Sequence, residues 1–287
     1  MGLRTVDAGG LPIPCLGMGT WRMGERAADR AEEAASLRLG IGLGMGLIDT
    51  AEMYGDGATE SFVGKSLKGV PRDSYTLVTK VCPQNAGRPA IFSSLDSSLK
   101  RLGTDHADIY LLHWRGPVPL AETVGCMAEL VRRGKARRWG VSNLDVADMG
   151  ELLAIPGGDG CCVDQVLYNV TSRGIEYDLM PWLRRHGIAT MAYCPLAQAG
   201  SLRRMGGDAF ESPVLKAIAE GHGATVAQVM LAFTLRLGCV AAIPKASSPR
   251  HVAENRAAAE LRLTDSDLAA IDGAFWPPTA KMHLDME

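Results

Sequence analysis

Four side chains of this chain carry groups that could together move a proton: a carboxylate, a phenol, an ammonium group and an imidazole. They belong to Asp49, Tyr54, Lys80 and His113. Asp49, Lys80 and His113 each follow a short apolar run. A lysine at the end of an apolar strand is costly to bury unless a counterion pairs with it, and Asp49 is the obvious counterion. These residue types therefore indicate acid–base chemistry.

Tyr54 is the candidate proton donor of this group. A free tyrosine has a pKa near 10 and is a reluctant donor at neutral pH. A neighbouring ammonium favours the phenolate, so Lys80 is expected to lower the pKa of Tyr54 and to make it a general acid. A neutral imidazole at His113 could hold a substrate oxygen while negative charge develops on it. Taken singly, Tyr54 could be a packing residue and His113 a core histidine, so the case depends on their convergence.

Other polar side chains also fall where predicted strands end: Ser142, Asn143, Gln165, Tyr193 and Lys245. In a barrel of parallel strands the C-terminal strand ends open on one face, where catalytic residues gather. Chance could place one or two polar residues at such positions. A whole set of them, on strands that are otherwise apolar, indicates a functional face.

The elements that must position these residues alternate between short strands and amphipathic helices. The predicted strands are Cys15–Gly19, Leu47–Asp49, Thr76–Lys80, Ala107–His113, Arg137–Val141, Cys162–Val166, Ile188–Ala192 and Cys239–Pro244. A turn at Gly10–Pro12 indicates a hairpin ahead of the first strand, and Ser266–Ala274 indicates an extra helix after the last. Because no linker interrupts the alternation, the chain is predicted to be a single domain over residues 1–287.

Eight such units could close into a barrel or form an open doubly wound sheet. An open dinucleotide-binding sheet calls for G-x-G-x-x-G after its first strand, but Gly17-Met18-Gly19 does not continue into that motif. Gly64-Lys65-Ser66 imitates the end of a P-loop, yet Thr59 occupies the position of its first glycine. The sequence therefore predicts an α/β protein with a (β/α)8 TIM barrel, an N-terminal β-hairpin and extra C-terminal helices.

These motifs resemble the aldo-keto reductase superfamily of bacterial type. The resemblance rests on Asp49 and Tyr54 in an I-D-T-A-x-x-Y segment, on Lys80, and on His113 followed by Trp114. It covers nearly the whole chain. Further matching segments are Gly17–Trp21, Trp139–Asn143, Ile243–Lys245 and Ala253–Asn255.

The resemblance also implies which residues bind cofactor and substrate. At the nicotinamide end, Ser142, Asn143 and Gln165 would bind the amide, Tyr193 would stack on the ring, and Pro195 and Leu196 would pass near the pyrophosphate. At the adenosine end, Lys245, Ser247 and Ser248 would bind the 2′-phosphate, and Glu254 and Asn255 would bind adenine. The substrate pocket would be lined by Trp21, Met53 and Trp114. Many NADP-dependent members carry Ser and Arg where this chain has Ala246 and His251. Lys245 still favours NADPH, with NADH as the other possible cofactor.

The reaction that this resemblance implies is the reduction of an aldehyde or ketone to an alcohol. A hydride would pass from C4 of the nicotinamide to the carbonyl carbon, and Tyr54 would protonate the oxygen. The short connection from Arg115 to Pro119 predicts an open pocket that accepts small aldehydes, dicarbonyls or aromatic aldehydes. No metal is needed for this chemistry.

Composition limits the other possible partners and the location. The 30 basic and 32 acidic residues leave a net charge of −2, which offers no footprint for nucleic acid or an anionic membrane. No apolar run reaches the ~20 residues of a membrane span, and no secretory signal precedes the first strand. Seven cysteines without a C-x-x-C pair are expected to be reduced and mostly buried. We expect a cytoplasmic monomer or weak oligomer that acts on a small carbonyl compound.

Two other functions fit a barrel of this kind. A nicotinamide-binding barrel could serve as a regulatory or redox-sensing subunit with little turnover, although a pure binder gains little from a buried Lys–Asp pair. A metal-dependent hydrolase or isomerase is the second alternative. It would need a ligand cluster, and His113 has no second histidine at a neighbouring strand end.

Overall fold

The computed structural model describes residues 2–197 and 209–286. Its strands are β1 (Thr5–Ala8), β2 (Leu11–Pro14), β3 (Met18–Gly19), β4 (Leu47–Asp49), β5 (Thr76–Val81), β6 (Ala107–Leu112), β7 (Ala136–Ser142), β8 (Cys161–Leu167), β9 (Ala189–Tyr193) and β10 (Val240–Ala242). Its helices are α1 (Arg30–Gly42), α2 (Ala58–Ser66), α3 (Ala90–Leu102), α4 (Leu120–Arg132), α5 (Val146–Ala154), α6 (Leu179–Arg185), α7 (Pro213–Gly221), α8 (Val226–Leu235), α9 (Pro249–Ala258) and α10 (Asp265–Ala274).

Strands β3 to β10 form a parallel sheet in which spatial order follows chain order. The first strand then meets the last. The backbone N–H of Gly17 donates to the carbonyl of Ala242 at 2.8 Å, and that of Gly19 donates to the carbonyl of Pro244 at 3.1 Å. A doubly wound sheet would instead reverse its strand order and keep two free edges. The predicted (β/α)8 barrel is therefore confirmed.

The strand bounds differ from the predicted ones mainly at the closure of the barrel. The predicted strand Cys15–Gly19 is reduced to β3, and Cys239–Pro244 is reduced to β10. Leu16 and Ala242 instead form an isolated bridge. The next bridge of this parallel ladder would need a backbone N–H at residue 244, and Pro244 has none, so the ladder ends there.

The barrel and its helices are held together by apolar faces of the expected periods. Every residue of β6 is buried, as expected for a strand covered on both sides. In α3 the buried side chains include Ile91, Leu95, Leu99 and Leu102, which recur at helical spacing. The sheet therefore packs inside a ring of helices, and the strand ends are fixed relative to one another.

The predicted hairpin and extra helix are both present. Strands β1 and β2 are antiparallel, and Gly9 and Gly10 between them have φ of 60° and 80°, as a tight hairpin turn requires. Arg138, near the start of β7, donates from Nε to the carbonyl of Gly9 at 2.7 Å. The hairpin thus lies at the barrel end where the strands begin. Within the described ranges, no helix is both long and apolar enough to cross a bilayer.

Candidate active site

A cavity of about 350 Å³ lies at the end of the barrel where the strands finish. It is lined by Gly19, Thr20, Trp21, Asp49, Met53, Tyr54, His113, Trp114, Ser142, Asn143, Gln165, Tyr193, Cys194, Pro195, Leu196, Ile243, Pro244 and Lys245. Most of the residues selected from the sequence are in this lining. Lys80 lies behind it, and Ser247, Ser248, Glu254 and Asn255 lie outside it.

Lys80 joins the carboxylate to the phenol. Its side chain is fully buried, and its Nζ donates to Asp49 Oδ2 at 2.8 Å and to the carbonyl of Thr50 at 2.9 Å. The third contact of Nζ is the hydroxyl of Tyr54, at 3.2 Å. All three donor positions of the ammonium group are therefore used, which fixes the Tyr54 hydroxyl in one place.

Burial and charge set the protonation states of this pair. Burial acts to lower the pKa of Lys80, but Asp49 and Tyr54 outweigh it and raise that pKa above its ordinary value. Burial raises the pKa of Tyr54, and the Lys80 ammonium opposes this rise without cancelling it. The expectation of a lowered Tyr54 pKa was therefore wrong in its net direction, because it considered the charge of Lys80 and left out desolvation.

His113 faces Tyr54 across the floor of the cavity. The two rings are edge-to-face, with centroids 5.9 Å apart. Burial, helped by the positive charge of Lys80, lowers the pKa of His113 to about 2. The imidazole is therefore neutral at physiological pH. Its buried Nδ1 has no hydrogen-bond partner among the residues that the structure describes.

Polar side chains from β7, β8 and β9 continue the lining from Asp49. Gln165 donates from Nε2 to Asp49 Oδ1 at 2.7 Å, and Ser142 Oγ donates to the carbonyl of Gln165 at 2.7 Å. Tyr193 donates from its hydroxyl to Asn143 Oδ1 at 2.9 Å. Asn143 has a φ of 62°, a conformation that asparagine tolerates better than most residues. This network connects the acid–base group to the rest of the cavity.

The wall beside Tyr54 and His113 is apolar and aromatic. Trp114 packs on His113 with a centroid distance of 4.8 Å. Trp21 and Met53 are more exposed than Trp114, and 39% and 42% of their respective surfaces are accessible to solvent. Arg115 makes ion pairs with Asp148 and Glu151, so its charge is already neutralised.

At the far side of the cavity, Pro195, Leu196 and Lys245 belong to its lining. Ser247 and Ser248 follow Lys245 directly, and Ser248 caps α9 by accepting the backbone N–H of His251.

Further along α9, Glu254 is half-buried and its carboxylate lies 3.6 Å from Arg250. Asn255 is buried. The residues assigned to the adenosine part of a dinucleotide thus lie on one loop and the helix that follows it.

Sequence reasoning missed several residues of the lining. Thr20 bonds the carbonyl of Asp49 through both its backbone N–H, at 3.0 Å, and its hydroxyl, at 2.8 Å. The signal for Thr20 was available, because it lies inside the Gly17–Trp21 motif. Cys194, with a φ of 47°, lies in the Tyr193–Leu196 loop that the resemblance places near the pyrophosphate, and it also belongs to the lining.

A model of the family described as "Aldo/keto reductase family" matches residues 15–275. This match spans β3 to α10 and includes every side chain of the acid–base group. The chain belongs to the aldo/keto reductase family. The resemblance noted in the sequence is thereby confirmed.

Relatives within the aldo/keto reductase family are similar over almost their whole length. The chain is 49% identical to methylglyoxal reductase YeaE of Escherichia coli K12, over 97% of each chain. It is similar in structure to an aldo/keto reductase of Klebsiella pneumoniae solved in complex with NADP and acetate. That similarity has a TM-score of 0.95 and 49% identity, covering 99% of this chain and 100% of the other. A second structure of an aldo-keto reductase from that organism contains NADPH, with the same TM-score and identity and coverage of 100% of both chains.

Proposed function

We propose that this aldo/keto reductase reduces small aldehydes and ketones to alcohols with NADPH, and that 2-oxoaldehydes such as methylglyoxal are among its substrates. The observation that carries the proposal is the buried ammonium of Lys80. It contacts both Asp49 and the hydroxyl of Tyr54, and that hydroxyl lines the same cavity as His113. A barrel that only bound a dinucleotide would not need this arrangement.

The lining of the cavity has polar groups, an aromatic ring and a positive charge that suit a nicotinamide dinucleotide. Ser142, Asn143 and Gln165 supply hydroxyl and amide groups near Tyr54, and Tyr193 supplies a ring beside them. Lys245 supplies a positive charge farther along the same cavity. An amide-binding end and a phosphate-binding end in one cleft match the two ends of such a molecule. Ser247, Ser248, Glu254 and Asn255 would extend the site along α9.

Proton transfer to the carbonyl oxygen falls to Tyr54. NADPH, when bound, supplies the hydride that reduces the carbonyl carbon. Because burial raises the pKa of Tyr54, its hydroxyl is protonated at neutral pH and available as a donor. Lys80, held by Asp49, stabilises the phenolate that remains. His113 is neutral and can donate a hydrogen bond to the carbonyl oxygen as charge develops there.

The substrate proposal rests on the apolar wall of the cavity. Trp21, Met53 and Trp114 offer apolar surface, and Arg115 is paired with two carboxylates. An uncharged, compact carbonyl compound suits this wall better than a carboxylate. The relatives named methylglyoxal reductases support a 2-oxoaldehyde.

The proposal includes the location and the oligomeric state of the enzyme. We place it in the cytoplasm as a monomer or weak oligomer. All seven cysteines are free thiols, as expected for a reducing compartment. The substrate and cofactor are the only partners that the proposed reaction requires.

A carbonyl panel followed at the nicotinamide absorbance tests the function. Methylglyoxal, small aliphatic aldehydes and aromatic aldehydes are each supplied with NADPH and, separately, with NADH. Turnover with methylglyoxal is expected, and kcat/KM should be higher with NADPH than with NADH. Dinucleotide binding without turnover of any carbonyl would contradict the proposal and would favour a regulatory role instead.

A further inference from the structure

A buried carboxylate lies beside the proposed binding site for the adenosine 2′-phosphate. It belongs to Glu33 of α1, which is 3% exposed. Its Oε1 accepts a hydrogen bond from Ser247 Oγ at 3.3 Å and lies 3.9 Å from Lys245 Nζ. Its Oε2 accepts the backbone N–H of Gly24 at 2.8 Å. The carboxylate is therefore held in place from two sides.

We infer that the Glu33 carboxylate reduces the preference of this enzyme for NADPH over NADH. The inference rests on the proposed cofactor site, since Lys245 and Ser247 are the donors assigned there to the 2′-phosphate. Glu33 contacts both of these donors in the structure. NADPH and NADH differ only at this phosphate, so a charge here acts on one cofactor and not on the other.

Repulsion is the first effect of the carboxylate. A phosphate oxygen bonded to the Ser247 hydroxyl would lie within about 6 Å of Glu33 Oε1, given ordinary hydrogen-bond lengths. Two negative charges at that separation in a partly buried site repel each other by more than thermal energy. Glu33 also competes with the phosphate for the hydrogen bond of Ser247 and for the positive charge of Lys245. Each effect weakens NADPH binding.

The second effect favours NADH. Its ribose carries a 2′-hydroxyl where NADPH carries the phosphate, and a hydroxyl can donate to a carboxylate. Acidic residues bind ribose hydroxyls in this way in other NAD sites. Lys245 and the N-terminus of α9 still attract a phosphate. NADPH is therefore expected to bind more tightly than NADH, but Glu33 reduces the difference in affinity.

Other charges near this loop do not replace Glu33. Glu254 and Arg250 pair with each other, with 3.6 Å between their charged atoms. His251 is exposed. Glu32 is next to Glu33 in α1 but points into solvent, which makes it a matched control.

The test compares Glu33→Gln with Glu32→Gln. Glutamine keeps the size of the side chain and an oxygen that can accept from Gly24, but removes the charge. The Kd values of NADPH and NADH are measured by quenching of tryptophan fluorescence, because Trp21 and Trp114 line the cavity. The ratio of Kd for NADH to Kd for NADPH should rise about tenfold or more in Glu33→Gln. It should stay within about twofold of the wild-type ratio in Glu32→Gln, where solvent screens the charge.

An unchanged ratio in Glu33→Gln would overturn the inference. So would a lower ratio, which would mean that Glu33 positions Lys245 to favour the phosphate. If Glu33→Gln does not fold, Glu33→Asp decides: it withdraws the charge from Ser247, and its ratio should also rise above the wild-type one. Failure of the proposed function is distinguishable, because the wild-type protein would then turn over no carbonyl compound, whereas failure of this inference leaves carbonyl turnover intact and the ratio of Kd values unchanged or lower in Glu33→Gln.

Discussion

Burial alone would keep the Tyr54 hydroxyl protonated and would favour the neutral amine of Lys80. The carboxylate of Asp49 keeps Lys80 in its charged form instead. The outcome is a neutral phenol in contact with a charged ammonium group, which is the pairing a proton donor requires. The residue types and their strand-end positions predicted which side chains meet. They could not predict the net direction of the Tyr54 pKa, because desolvation depends on atoms from every element around the cavity.

His113 should make stability depend on pH in acid. Its pKa is about 2 in the folded protein and near 6.5 when unfolded. The neutral form therefore contributes its full stability above pH 6.5, and this is lost as pH falls toward 2, since the unfolded chain takes up the proton first. Relative to His113→Gln, the wild-type free energy of unfolding should fall by about 1.4 kcal/mol per pH unit once pH is well below 6.5.

Urea denaturation at pH 7, 5.5 and 4.5 measures this difference. His283→Gln, at an exposed position in the C-terminal segment, serves as the control and should follow the wild-type curve. Parallel pH dependence in the wild-type protein and His113→Gln would mean that the imidazole is not held neutral by burial.

Among the elements, the seam between β3 and β10 is the least regular part of the barrel and the one that sequence predicted least well. Apolar runs at Cys15–Gly19 and Cys239–Pro244 have the composition of full strands. Their pairing, however, depends on how far the two segments are staggered when the barrel closes. That stagger is a property of the whole barrel, although Pro244, which has no backbone N–H to donate, marks in the sequence where the ladder ends.

Gly17, at this seam, lies close against Leu47 of β4. A Cβ at this position would lie 2.4 Å from the carbonyl oxygen of Leu47, so the backbone would have to move. Gly17→Ala should therefore lower the free energy of unfolding by about 1–3 kcal/mol.

The matched control is Gly42→Ala at the end of α1, where a Cβ would meet nothing within 4 Å. This substitution should be neutral or stabilise by up to about 1 kcal/mol. Denaturant titration of both variants checks the pair, and equal stabilities would show that the seam tolerates a side chain.

For the whole molecule, the order of strands around the barrel explains why distant residues meet. Asp49 and Gln165 are far apart in the chain, yet both lie at strand ends on one face, and sequence could predict their convergence from topology alone. The contact of Glu33 with Ser247 was not predictable in this way. It depends on how α1 and α9 pack side by side outside the barrel, and no strand end marks it.

The barrel also bears on domain organisation. The barrel closes where the segments around β3 and β10 meet. Neither the N-terminal nor the C-terminal half of the chain would therefore have a complete sheet by itself. A single domain over residues 1–287 stays a prediction, and this closure is its main support.

Tyr54 is proposed to donate the proton to the carbonyl oxygen, and the rest of the mechanism depends on this step. Single-turnover reduction of methylglyoxal by Tyr54→Phe with saturating NADPH tests it most directly, with Tyr177→Phe, an exposed tyrosine, as the control. The rate should fall about 10²- to 10⁴-fold in Tyr54→Phe, while the Kd of NADPH changes little and the control retains the wild-type rate. A Tyr54→Phe rate close to that of the wild-type enzyme would contradict this role of Tyr54.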